Sequence, residues 1–439
     1  MEPWSVISLL EDHNSRLNKE GIIEDQAKNK NDIFFEGCRL ALDPMITFGL
    51  KQIPEKKDED GPGLSWDSFT LALTGFTTRN VTGNAARDMI AAMMRSATKR
   101  EWNGWYRRIL IKDLRCGVSE KTINKAVEKI DTKYTVPVFT CQLSHDSANH
   151  ESKVGGEKMI EVKLDGVRVI TIVYPSGRVD QYSRNGKELV NFEKIKKQLS
   201  EVAHTFTEPM VLDGEVMSSS FQDLMKQVHR KSNVTADDAT LNLFDFLPLK
   251  MFEEGVARIP QLLRSQQLQD WHNKNADQLP NVEVLQHEIV NISTPEGAVR
   301  FKEINAKAIE GGYEGIMIKE INAPYQCKRT VHWLKMKPFI EVSLEVTKVE
   351  EGTGRNAGRL GAFVCTGDDD GKRIQVNVGS GFSDADRDSF WASHVENDDM
   401  VGQIVEVRAD AVTQNQDGTY SLRFPRFLRF RGFEPGEKI

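Results

Sequence analysis

The run EVKLDGVR, Glu161–Arg168, sets a lysine, an Asp-Gly pair and an arginine in one octapeptide. Its flanks, Met159–Lys163 and Val167–Tyr174, are dense in Val, Ile and Tyr and read as strands. Asp165-Gly166 reads as a tight, hairpin-like turn between them. Lys163 then ends one strand at a pocket mouth, and Arg168 returns beside it on the next, as a nucleophile followed by a phosphate clamp. A lysine amine attacks phosphorus only when deprotonated, so its reference pKa of about 10.4 must be lowered by cationic neighbours or desolvation. A surface hairpin with a solvated lysine carries the same letters, and the rest of the chain has to decide.

The 439 residues exceed one typical domain. Charged residues at 28% and apolar ones at 39% describe an ordinary soluble globular protein. No apolar stretch approaches the roughly 18 residues of a membrane span, so no membrane partner is expected. The start, MEPWSVISLLEDHN, lacks a basic n-region, so no signal peptide is expected. Five cysteines (Cys38, Cys116, Cys141, Cys327, Cys365) stand singly, with no C-x-x-C. That supports neither a zinc ribbon nor a disulfide framework, and fits a reducing cytoplasm. The net charge is −7, but unevenly spread. Residues 1–78 hold 8 Lys+Arg against 14 Asp+Glu, whereas residues 79–133 hold 13 against 6. Such concentration is expected of a phosphate-backbone footprint, and also of a solvated helical face.

Three domains are expected. Residues 1–133 read as helical: Asn84–Lys99 puts Ala86, Ile90, Met93 and Met94 on one stripe, and Ser119 caps a helix reaching Ile130. Residues 134–338 read as α+β, with turns at YPSG, SRNGK and LDGE and helices at Phe192–Ala203 and Gly297–Gly312. Residues 339–439 read as short strands with Gly-rich turns, a small β-barrel such as an OB fold. The loop GTGRNAGRLG (Gly352–Gly361) lacks the G-x-x-x-x-G-K-[ST] pattern of a phosphate loop and reads as a barrel loop.

Downstream of Lys163 follow, in order, SRNGKE (Ser183–Glu188), LDGEV (Leu212–Val216), LNLFDFLPL (Leu241–Leu249), YEGIMIK (Tyr313–Lys319) and WLKMKP (Trp333–Pro338). Arg184 precedes an Asn-Gly turn, Glu215 follows a second Asp-Gly turn, and Glu314 sits between a helix and an apolar run. Lys335 and Lys337 alternate on one strand face, and Lys319 ends the preceding strand. With K-x-D-G-x-R, the series resembles the adenylyltransferase core of ATP-dependent DNA ligases, within the covalent nucleotidyltransferases. TTRNVTGN (Thr77–Asn84) and KDLRCGVSEKTIN (Lys112–Asn124) resemble the helical DNA-binding domain N-terminal in many of them. VGSGFSD (Val378–Asp384) and SLRFPRFLRFRG (Ser421–Gly432) resemble their OB domain. The modest length looks most like phage or viral three-domain ligases.

The resemblance implies a helical DNA-binding domain, an α+β, ATP-grasp-like adenylyltransferase core and an OB fold. It implies ATP, Mg²⁺ or another divalent cation such as Mn²⁺, and nicked duplex DNA, encircled by a monomer in the cytoplasm of a bacterial or phage-infected cell. Lys163 becomes the nucleophile, and Arg168 and Arg184 hold phosphates. Glu161 accepts the adenine amino group and Phe244 stacks on the base, with Asp245 facing the opposite way to support the fold. Glu215 and Glu314 serve metal and ribose, while Lys319, Lys335 and Lys337 offset charge on the triphosphate and lower the lysine pKa. Arg79, Asn84, Arg107, Arg108, Lys112, Arg115, Arg355, Arg359, Arg429 and Arg431 are candidates for DNA contacts. Many relatives end in R-x-D-K, which orients pyrophosphate. Here Arg431 is followed by Gly432-Phe433-Glu434, and the Asp-Lys pair is absent. An RNA ligase, a capping enzyme or an inactive DNA clamp are the alternatives; the helical segment and VGSGFSD weigh against the first two, the intact set Lys163, Glu215, Glu314, Lys335 and Lys337 against the third.

Overall fold

The computed structural model describes residues 1–218 and 238–432, so Phe433 and Glu434 lie outside it. It divides into two compact units, Met1–Thr140 with Tyr182–Glu188, and Cys141–Gln181 with Leu189–Ile439.

The first unit is helical: α1 (Pro3–Glu11), α2 (Arg16–Lys28), α3 (Asp32–Leu42), α4 (Trp66–Thr77), α5 (Gly83–Ser96) and α6 (Glu120–Val127). Ser15, Asn31, Ser65 and Ser119 cap their helices through side-chain oxygens, satisfying amides that a helix start leaves unpaired. α5 buries Ala86, Ile90 and Met93, following its sequence period, whereas α6 stops at Val127, three residues short of the expected end. A π-turn at Trp102–Tyr106 drives Trp102 and Trp105 into the core. Gly37 of α3 lies under the Trp105 ring, where a Cβ would collide with it. The Asn185-Gly186 turn is a hairpin: Ser183 N donates to Lys187 O (2.8 Å), and Gly186 takes φ +83°.

The second unit opens with β1 (Leu143–Asp146), β2 (Glu157–Lys163), β3 (Val167–Val173), β4 (Val179–Ser183, its last two residues counted with the first unit), β5 (Met210–Met217) and β6 (Thr240–Pro248). It continues through β7 (Val256–Ala257), β8 (Val282–Val284), β9 (His287–Asn291), β10 (Gly315–Glu320), β11 (Tyr325–Gln326) and β12 (Arg329–Met336). Helices α7 (Glu193–Val202), α8 (Gln261–Asn275) and α9 (Pro295–Glu310) intervene. The strands form two five-stranded sheets, ordered β1-β12-β10-β2-β9 and β4-β3-β5-β6-β8, and β7 pairs with β11.

This topology corrects two readings. β2 and β3 belong to different sheets, so Leu164–Gly166 is a crossing and not a hairpin. β2 finds its partners in β10 and β9, and β3 finds one in β5. Asp213-Gly214 is likewise no turn but the middle of β5, because Asp213 is fully buried and ion-paired there. An Asp-Gly pair carries a turn preference that tertiary pairing overrides at both places.

The remainder is one seven-stranded sheet, ordered β17-β18-β15-β14-β13-β16-β19. It is built from β13 (Ile340–Glu351), β14 (Leu360–Asp369), β15 (Lys372–Val378), β16 (Ile404–Ala409), β17 (Ala411–Gln414), β18 (Tyr420–Arg423) and β19 (Arg426–Gly432). Its aromatic centre is Phe363, packed by Phe382, Phe390, Phe427 and Phe430. Helix α10 (Asp384–Asn397), which the strand-rich reading leaves out, starts with a Ser383–Asp386 capping box.

Asp245 on β6 and Arg264 on α8, both unexposed, form a two-pronged pair (2.8 and 3.0 Å). Arg264→Leu is expected to lower the unfolding free energy of this unit by about 3–5 kcal/mol, because it strands a buried carboxylate. The Asp245→Leu/Arg264→Leu pair is expected to recover part of that loss, and urea titration followed by circular dichroism checks both.

Candidate active site

Strand alternation builds the site. On β2, Ile160 and Val162 pack with Ile316, Ile318, Leu334 and Phe301, which turns Glu161 and Lys163 to the opposite face. Glu161 pairs in register with Met317 and Lys163 with Gly315; Lys319 pairs with Trp333 and Met317 with Lys335. One sheet face therefore carries Glu161, Lys163, Lys319, Trp333 and Lys335. On the other sheet, Val167, Val169, Leu212 and Val216 fill a core, leaving Arg168, Asp213 and Glu215 outward, with Arg168 in register with Glu215. The β5–β6 register jumps from Asp213↔Asp245 to Gly214↔Leu243, so Phe244 is a bulge residue. The bulge also returns Asp245 to the face of Asp213, so it does not point away as expected. The two faces meet where the Phe244 ring stands edge-on to Trp333, 5.8 Å between centroids.

At the aromatic end, Lys319 pairs with Glu161 (2.8 Å), both almost wholly buried. The ammonium lies 4.4 Å from the Trp333 ring centroid and 4.9 Å from that of Phe244. Burial pushes the Glu161 carboxyl up, and the Lys319 charge works against it. Lys319 is thus a partner of Glu161 between two rings, and not one of three free ammonium groups around a triphosphate.

At the other end, the Glu314 carboxylate bridges Lys163 and Lys337, the second at 2.7 Å. Lys337, one residue past β12, also holds Glu341 (3.1 Å), which Arg408 grips at 2.7 Å. Burial works to raise Glu314, but the two lysines outweigh it and hold the carboxyl below its ordinary value. Burial works to lower Lys337, and Glu314 with Glu341 overcomes it and raises it. Burial lowers Lys335, opposed by Asp146, its register partner. Burial likewise raises Glu215, whose Oε1 accepts the Gly166 amide at 3.1 Å. Gly166 has no room for a side chain: a Cβ would lie 2.6 Å from Met217 Sδ and 3.0 Å from Glu215 Cγ.

Arg168 is held by Asp213 through Nε (2.5 Å) and Nη2 (2.6 Å), and Nη2 also donates to Gln142 O (3.0 Å). Its guanidinium carbon lies 5.1 Å from the Phe244 ring centroid. Nη1 makes no hydrogen bond among the described residues. Asp213, Gln142, Tyr325, Glu341 and Asp146 were all missed. An aspartate inside the apolar run MVLDGEVM was the one signal for Asp213, and it was spent on a turn. Arg184 lies on the hairpin of the first unit and is described with that unit.

Several DNA-contact candidates are turned inward. Arg79, at φ +62°, donates to Thr47 O (2.9 Å) and Phe76 O (2.6 Å). Arg107 donates to Ile53 O (2.9 Å); Arg108 donates to Asn103 O (3.1 Å) and Leu114 O (2.9 Å) and pairs with Glu11 (2.8 Å). Lys112 caps Leu40 O (2.6 Å) and Asp43 O (2.7 Å), and burial pushes it down to about 7. These side chains satisfy carbonyls that loops and helix ends leave open. Asn84 and Arg115 are exposed. A cavity of about 590 Å³ is lined by Lys51, Arg87, Arg107 and Arg115, among others. In the β-sheet domain Arg359 pairs with Asp388 (2.7 Å) and Arg355 with Asp384 (3.4 Å). Arg429 and Arg431 share Glu406, and Arg431 is buried.

A lysine ending a strand between two sheets, ringed by carboxylates and further cations, defines a nucleotidyltransferase core. Residues 138–337 match the ATP dependent DNA ligase domain, and residues 351–431 the DNA ligase OB-like domain. The solved chain named Pmar-Lig_PreS3 is 51% identical, covering 98% of this chain and 99% of its own, with a TM-score of 0.53. The DNA ligase of Natronomonas pharaonis is 29% identical over 299 residues, 63% of this chain and 52% of that protein. DNA ligase 2 of Methanosarcina mazei is 27% identical over 340 residues, 70% of this chain and 58% of its own length. The chain belongs to the ATP-dependent DNA ligase family. It spans about half the length of the archaeal relatives it matches.

A carboxyl held below its ordinary 4.5, as Glu314 is, stabilises the fold above that value and loses the contribution as pH falls below it. Wild type is therefore expected to lose more stability than Glu314→Gln between about pH 5 and 3, read from unfolding midpoints across that range.

Proposed function

We propose that this chain seals 5′-phosphate/3′-hydroxyl nicks in duplex DNA, using ATP. The observation that carries the reading is Lys163 at the mouth of the inter-sheet cleft, with Arg168, Glu215, Glu314, Lys335 and Lys337 around it. Lys163 attacks the α-phosphate of ATP, forming a phosphoramidate and releasing pyrophosphate. AMP then passes to the 5′-phosphate at the nick, and the 3′-hydroxyl displaces it. Glu314 takes, in the resting site, the place between two ammonium groups that phosphate oxygens take in the reaction. Lys335 and Lys337 oppose charge growing on the phosphorus, and Arg168 offers Nη1. The Phe244–Trp333 end suits an adenine ring, with Glu161 as acceptor for its amino group. Glu215, in use on one oxygen alone among the described residues, fits a hard divalent cation such as Mg²⁺ or Mn²⁺ together with nucleotide phosphates; Glu314 fits once its lysines turn to phosphate. Such an ion would supply charge neutralisation on the phosphates.

The proposal has three parts: residues 1–133 bind DNA, 134–338 perform the chemistry, and 339–439 form the OB domain, the monomer closing around the duplex. Lys51, Arg87 and Arg115, which line one cavity, join Asn84 as the exposed candidates for phosphate contact.

Incubation with α-labelled ATP and Mg²⁺ is expected to give an acid-precipitable protein label, stable to alkali and released by hot acid as a phosphoramidate is, that Lys163→Ala reduces to background; a label surviving that substitution would overturn the assignment. Sealing is expected on nicked DNA and not on nicked RNA. Neutralising Lys51, Arg87 and Arg115 together is expected to flatten the salt dependence of DNA binding by up to about 0.9 in log–log slope per contact removed. Arg108→Ala is expected to cost stability and leave that slope unchanged.

A further inference from the structure

A second polar cluster lies outside the lysine site. His145 sits on β1 and His150 follows the short turn Ser147–Asn149; Asp370 is in the tight connection between β14 and β15. His145 Nδ1 is 2.9 Å from one Asp370 oxygen, and His150 Nε2 is 2.6 Å from the other. The imidazole centroids are 4.6 Å apart, at 68° to one another. Neither nitrogen–oxygen approach has hydrogen-bond geometry, and His150 Nε2 is buried without a hydrogen bond. His145, His150 and Asp370 each bring one possible ligand atom within 4.8 Å of the other two. Asp370 holds a left-handed backbone, φ +50°, a costly conformation for a residue with a side chain.

We propose that His145, His150 and Asp370 form a binding site for a borderline divalent cation of the Zn²⁺ class. Two imidazoles and one carboxylate suit such an ion and not Mg²⁺, which prefers oxygen ligands and several waters. Burial pushes the His145 imidazole toward the neutral form that a ligand must take, with the Asp370 charge working against it. Around a tetrahedral ion, ligand atoms lie about 3.3 Å apart, and the three residues already hold one such atom each within 4.8 Å of one another. A fourth position remains for water. The bound ion fastens the β14–β15 turn to β1. Asp369, the last residue of β14 beside that turn, feels the Lys335 charge, so the ion fixes a neighbour of the lysine site without entering it. Lys372 Nζ donating to Asn149 Oδ1 (3.4 Å) marks the same junction. The proposal is independent of the ligase reading.

The full chain, stripped with chelator, is titrated with Zn²⁺ and with Co²⁺ in excess Mg²⁺. Zinc per chain is read by plasma mass spectrometry after gel filtration, and Co²⁺ by its visible absorption. One ion per chain is expected, weakened more than about tenfold in His145→Ala, His150→Ala and Asp370→Asn. Glu215→Gln and Lys163→Ala are expected to bind it as wild type does. Zn²⁺ is expected to raise the unfolding midpoint of wild type and not of Asp370→Asn, whose fold is checked by circular dichroism. No binding by wild type, or equal binding by the three cluster variants, overturns the proposal.

Discussion

Asp213 is a carboxylate with no exposure in the middle of a central strand, and the site is arranged around neutralising it. Arg168 grips it from β3 with two hydrogen bonds, and the Tyr325 hydroxyl donates to it at 2.7 Å. Arg168 also donates to Gln142 O, and Gln142 Oε1 accepts the Gln326 amide at 2.6 Å. A buried charge left unpaired costs several kcal/mol, so these contacts are obligatory and not decorative. They bind the β3–β5 sheet to β11 and to the segment entering β1. They also fix the rotation of the guanidinium, setting its face toward Phe244 and Trp333. Arg168 is therefore aimed by a buried carboxylate on the neighbouring strand.

The crossing at Leu164–Gly166 follows from the same geometry. If β2 and β3 were a hairpin, Lys163 and Arg168 would lie in one sheet and no cleft would separate them. Placed in two sheets, they stand on the two faces that meet at Phe244 and Trp333. Gly166 permits this by passing against β5, where any side chain would collide with Met217 and Glu215. The glycine is required for space, since its backbone lies outside the left-handed region.

The sequence revealed the lysine, its arginine and the order of their companions, because each sits where strand alternation leaves a polar residue among apolar ones. Residues such as Glu161 and Lys335 could be assigned to a face from spacing alone. Partners could not. Glu161 and Lys319 are 158 positions apart, and only the pairing of β2 with β10 reveals that they neutralise each other. The bulge at Phe244 was equally invisible, so the side taken by Asp245 was misjudged by one residue. The Asp-Gly pairs misled twice, since a local turn preference of about 1 kcal/mol is small against a buried ion pair.

Charge counting met a similar limit. Residues 79–133 are strongly basic, yet Arg79, Arg107, Arg108 and Lys112 spend their donors on backbone carbonyls of their own unit. A side chain that closes a loop contributes to the long-range field but offers no free donor to a phosphate. The reverse holds for Lys51, which lies in a segment of net negative charge and yet lines the same cavity as Arg87 and Arg115. Arg429 and Arg431 divide in the same way: both lean on Glu406, but Arg429 is half exposed and Arg431 is buried. What a basic stretch can hold therefore depends on which of its cations the fold has already used, and hydrogen-bond partners, more than net charge, separate the two kinds.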